Sequence, residues 1–117
     1  MKYVKVALVV SVAGLLLGAP SQAAMPKLVG TDGPGFTITL KKNGSKVTRL
    51  KAGKYAITVK DLSDVHNFHL TGRGVNKRTS VDRIGTTSWI VTLQRGATYR
   101  FVCDPHASSM RGSFKTF

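Results

Sequence analysis

The chain has 117 residues, enough for one domain, with 18 Lys and Arg against five Asp, no Glu, and a formal charge of +13. A single cysteine, Cys103, excludes a disulfide framework, and the lack of glutamate removes the usual general base of a zinc hydrolase. Metal and acid–base chemistry must therefore draw on three histidines, His66, His69 and His106.

The chain begins with the basic stretch Met1-Lys2-Tyr3-Val4-Lys5, runs through an apolar segment from Val6 to Ala19, and reaches the small-x-small pattern Ser21-Gln22-Ala23. That order predicts a secretory signal peptide over residues 1–24, cut after Ala23 or Ala24, and a soluble product in the periplasm or outside the cell. The apolar run is shorter than the roughly 20 residues that a spanning helix needs. Losing Lys2 and Lys5 lowers the positive charge by two, and the remaining excess is spread over hairpins and loops. Such a field favours an acidic redox protein or an anionic membrane surface as partner. Export and the absence of a binding motif argue against nucleic acid.

Residues 25–117 read as one all-β unit. A short strand is expected over Met25–Gly30, then turn chemistry in Asp32-Gly33-Pro34-Gly35, then a half-buried strand over Phe36–Leu40. Asn43-Gly44 is a hairpin signal, and its partner strand is expected from Val47 to Leu50. Tyr55–Lys60 alternates, with Tyr55, Ile57 and Val59 on one face. Alternation across Val65–Leu70 puts His66, Phe68 and Leu70 inward and sends Asn67 and His69 outward. Gly72-Arg73-Gly74 ends that strand, and Val75–Arg83 lacks periodicity and reads as a loop or edge crossing. Strands follow over Thr86–Leu93 and Thr98–Cys103, the second with Tyr99, Phe101 and Cys103 facing in. Short strands with turn signals at this spacing predict a β-sandwich.

The chemistry concentrates in Cys103-Asp104-Pro105-His106-Ala107-Ser108-Ser109-Met110. Pro105 must stop the strand, and the resulting turn can carry His106 and Met110 back over the Cys103 sulfur. His66 is the candidate fourth ligand, from the inward face of its strand. Thiolate and thioether favour Cu(I), imidazole accepts Cu(II), and two His, one Cys and a weak axial Met suit one-electron transfer by copper. A metal-bound thiolate also explains a lone cysteine in an exported chain. Asp104 is read as an outward loop or capping acid, and His69 as a surface residue.

With His66-Asn67, Cys103-x-Pro105-His106-x3-Met110 and the closing Gly112-Ser113-Phe114, the sequence resembles the cupredoxins, the type 1 or blue copper proteins. It is most similar to the small plastocyanin-like and pseudoazurin-like members, over roughly Phe36 to Phe117. The resemblance implies a Greek-key sandwich of seven or eight strands with one copper at one end, and a monomeric carrier rather than an enzyme. It also implies that Asn67 hydrogen-bonds to the Cys loop, that its N–H donates to the sulfur, and that the His106 ring edge is the route for electrons. Pro105 denies the sulfur a further N–H donor. The spacing between His106 and Met110 is one residue shorter than in typical plastocyanins. An exported copper carrier, buffer or resistance protein on the same fold is the alternative, though the Met-rich or His-rich tracts of many copper traffickers are missing.

Overall fold

The computed structural model describes residues 25–117, so the leader read at residues 1–24 and its cleavage point lie outside the described residues. Among the described residues the elements are β1 (Lys27–Asp32), β2 (Ile38–Lys42), β3 (Ser45–Lys46), β4 (Arg49–Leu50), β5 (Gly53–Asp61), β6 (His69–Gly72), β7 (Val75–Arg78), β8 (Gly85–Leu93), β9 (Thr98–Val102) and β10 (Arg111–Thr116), with a short 3-10 turn at Asp104–His106. They form two five-stranded sheets, ordered β3-β2-β1-β5-β8 and β4-β10-β9-β6-β7. The pairs β1–β5 and β4–β10 are parallel, and the remaining neighbours are antiparallel. This is the expected all-β Greek-key sandwich.

The strand count exceeds seven or eight for two local reasons. The expected Val47–Leu50 strand is divided between the sheets. Ser45–Lys46 pairs with β2, Val47 turns inward, and Arg49–Leu50 joins β10 in the opposite sheet. Val75–Arg78 is a true strand at a sheet edge, where exposed Asn76, Lys77 and Arg78 need no inward alternation. Charged side chains on such an edge also discourage pairing with another chain.

Elsewhere alternation sets the core. Tyr55, Ile57, Val59 and Asp61 of β5 are buried, as are Tyr99 and Phe101 of β9 and, beyond its end, Cys103. Phe68 stacks on Phe101 with centroids 5.5 Å apart, and Tyr99 on Phe114 at the same separation. Two glycines make room for these rings. A Cβ at Gly72 would lie 2.1 Å from the Tyr99 ring, and one at Gly112 would lie 2.3 Å from that of Phe101. Burial of each large aromatic side chain contributes roughly 1.5–3 kcal/mol before ordering costs.

The fold brings two connections together at one end. One is the 103–110 loop between β9 and β10. The other is the crossing from β5 to β6, and here the expected alternation fails. His66, Asn67 and Phe68 are all buried, at 1%, 1% and 0% exposure, and the strand begins only at His69. Three consecutive buried residues are incompatible with a one-faced strand; they belong to a loop sealed between the two sheets.

Candidate metal centre

Cys103 inherits its direction from β9, and the chain reverses immediately after it. Pro105 sits within the first turn of the 3-10 segment, where a missing N–H costs nothing. His106 N donates to the Cys103 carbonyl at 3.0 Å, Met110 N to the His106 carbonyl at 2.8 Å, and Cys103 N to the Met110 carbonyl at 3.0 Å. These bonds close the loop on itself. Cys103 and Met110 are buried, whereas His106 is partly exposed.

The second loop delivers His66 to the same place. Its Nδ1 lies 3.1 Å from His106 Nδ1 and 3.7 Å from Cys103 Sγ, which is itself 3.6 Å from His106 Nδ1. One ligand atom from each of the three residues lies within 4.8 Å of the others. First-row metal ions bind imidazole nitrogen at about 2.0–2.1 Å and thiolate sulfur at about 2.3 Å. Two donors sharing one such ion stand roughly 3–4 Å apart, as all three pairs do here. The donor set fits a copper ion.

Around the sulfur the polar groups are accounted for. Asn67 N–H points at Cys103 Sγ from 3.4 Å. The Asn67 side chain ties the two loops together: Oδ1 accepts from Asp104 N at 2.7 Å, and Nδ2 donates to Asp104 Oδ2 at 2.8 Å and to the Thr79 carbonyl at 3.2 Å. Thr79 continues the network, its hydroxyl accepting from Phe68 N at 2.9 Å and donating to Asp61 Oδ2 at 3.2 Å.

His69 does not face solvent as the alternation suggested. Its side chain is 16% exposed, with Nδ1 2.8 Å from Asp104 Oδ1 and Nε2 2.7 Å from Asn76 Oδ1. A carboxylate can only accept, so Nδ1 carries the hydrogen. Partial burial opposes ionisation of Asp104, but hydrogen bonds from His69 and Asn67, helped by the charges of His69 and Arg78, outweigh it and hold the carboxyl below its usual range. Asp104 is exposed as expected, yet it clamps Asn67 and His69 rather than capping a helix.

Sequence reading missed Phe36, Thr79 and the part played by His69. Phe36 was expected inside a half-buried strand, but β2 starts at Ile38 and Phe36 is 67% exposed beside the site. The one available signal was an aromatic residue directly after Gly33-Pro34-Gly35, where the chain is still turning. The segments 33–37, 61–69 and 103–110 contain no Lys or Arg.

Residues 37–116 match the family described as copper binding proteins, plastocyanin/azurin family. Reduced rusticyanin shares the fold with a TM-score of 0.57 and 21% identity, over 78% of each chain. A point variant of amicyanin in its Cu(I) form does so with a TM-score of 0.51 and 17% identity, over 82% of this chain and 87% of the other. No curated protein matches the chain significantly. The family match spans most of the described residues, and the chain belongs to the plastocyanin/azurin family. It is a copper-binding protein with the donor pattern of a type 1 site.

Proposed function

We propose that this member of the plastocyanin/azurin family is an exported one-electron carrier whose single copper would be held by His66, Cys103, His106 and, more weakly, Met110. The observation that carries the reading is the convergence of two imidazole nitrogens and the sole thiol within 4.8 Å. When bound, copper supplies a reversible Cu(II)/Cu(I) couple. Cys103 must lose its proton to serve as a ligand, so uptake releases a proton and weakens at low pH. The Asn67 N–H favours the thiolate, and Pro105 offers no second N–H to it. The bonds that close the 103–110 loop hold the ligand-bearing backbone still while the electron count changes. His106, partly exposed, presents the ring edge through which electrons pass.

Export rests on the composition of residues 1–24, and no helix among the described residues is long and apolar enough to cross a membrane. The excess of Lys and Arg supports an acidic redox protein or an anionic membrane surface as the partner of a monomer.

The copper-loaded protein should be intensely blue, with the electron paramagnetic resonance signature of a type 1 centre. Cys103→Ser should abolish the colour. A colourless cupric complex would overturn the assignment. Reversible reduction with rapid electron exchange separates the carrier from the alternative of an exported copper buffer or resistance protein, which would hold one oxidation state and hand the metal on.

A further inference from the structure

Phe36 has no part in the site as described so far, and its placement is unusual. Two-thirds of it is exposed, yet its ring centroid lies 5.1 Å from that of His66 and 5.0 Å from that of His106. The two imidazoles are themselves 4.8 Å apart, so the three rings form a nearly equilateral triangle. The interplanar angles are 67°, 88° and 75°, and each pair meets edge to face, the arrangement that the ring quadrupole favours. Two corners of the triangle carry donor atoms. The third carries none.

The backbone holds that third ring in place. Gly33 N donates to the Thr37 carbonyl at 2.9 Å and closes the loop that bears Phe36, while Leu62 N donates to the Asp32 carbonyl at 3.0 Å and fastens the loop to the His66 segment. The two segments are in close contact, since a Cβ at Gly33 would come within 2.8 Å of Ser63 Cβ and 3.4 Å of His66 Cδ2. His66 is immobilised by burial, but His106 is partly exposed on a single short turn, and its ring neighbours among the described residues are Phe36 and His66. The family match begins at residue 37, so it does not account for Phe36.

We propose that Phe36 is a positioning residue for the metal centre: its ring braces the His66 and His106 imidazoles against each other, so that their Nδ1 atoms converge before the ion arrives and stay converged while it is held. This rests on the reading that both histidines are ligands. An aliphatic side chain at residue 36 could fill part of the same space but could not supply the edge-to-face attraction.

The test compares the parent with Phe36→Ala, Phe36→Leu and Phe36→Trp. One readout is the rate at which bound copper passes to an excess of chelator. The other, on the metal-free protein, is the width of the His106 imidazole signals in nuclear magnetic resonance. Loss of ring contacts of this kind should speed copper release by about three- to tenfold in Phe36→Ala and broaden the His106 signals. Phe36→Leu should behave like the alanine variant, and Phe36→Trp should restore slow release. The brace is overturned if the alanine variant matches the parent in both readouts, or if leucine restores parental behaviour as fully as tryptophan does. If the parent itself binds no copper, the ligand assignment fails, and the metal-free signals still decide whether the ring orders His106.

Discussion

Asn67 and Asp32 are buried to the same degree near the same end of the sandwich, 1% and 0% exposed, and they meet opposite conditions. Every polar atom of the Asn67 amide is engaged, with Asp104 and Thr79 as partners. Neither oxygen of Asp32 has a hydrogen-bond donor. Its neighbour across the parallel β1–β5 pair is a second buried acid, Asp61, already served by Ser63 N and the Thr79 hydroxyl. Burial, reinforced by charge repulsion from Asp61, pushes the Asp32 carboxyl up to about 8. A retained proton is the donor that the pair otherwise lacks. A paired buried group costs little and specifies geometry, whereas an unpaired one costs stability and makes it depend on proton supply. The loops that meet at this end are thus stitched together on one side and loaded with a penalty on the other.

The largest expected effect comes from removing that penalty. The pair keeps its proton in the folded state up to about pH 8, while an unfolded aspartate releases it near pH 3.8. Between those values the folded state binds more protons, so stability falls as pH rises from about 4 and the loss is complete near 8. Asp32→Asn should therefore stabilise the metal-free domain at pH 7 by on the order of 3 kcal/mol and flatten this dependence, as read by denaturant unfolding across pH. An unchanged slope would dissolve the contrast with Asn67.

The reverse substitution of circumstances is Asn67→Ala, which orphans Asp104 N and the Thr79 carbonyl. It should cost on the order of 2–3 kcal/mol in the same unfolding assay. A neutral result would mean that the two loops are held by their backbone bonds alone. The smallest effect belongs to His69→Ala. Asp104 is well exposed, so the loss in stability should stay below about 1 kcal/mol. Its carboxyl should nevertheless move up towards the ordinary aspartate value, which a carbon-detected titration reads directly.

The half of the site between Cys103 and Met110 was legible because its residues are contiguous. A strand parity, a proline stop and a short return suffice to bring a thiol, an imidazole and a thioether into one loop. Asn67 was legible through its place beside His66. Asp32, Phe36 and His69 were not, because each depends on where a loop is packed rather than on local periodicity. Asp32 reads as an ordinary turn acid, and nothing in Asp32-Gly33-Pro34-Gly35 reveals that β1 runs parallel to β5 and seals the side chain against Asp61. His69 was assigned outward from an alternation that starts four residues too early. The ten strands exceed the expected number because Val47 marks a change of sheet, which a two-residue hairpin signal cannot foretell, and because Val75–Arg78 pairs at an edge without alternating.

The distribution of Lys and Arg has a consequence for encounter. With no cation in 33–37, 61–69 or 103–110, these loops add nothing to the positive charge themselves, and the cations adjoining them stand on flanking strands, Arg78 on β7 and Arg111 on β10. Ionic strength should then govern how often a collision occurs and how strongly the flanking cations hold an acidic partner, while the contact made by the loops themselves rests on short-range fit.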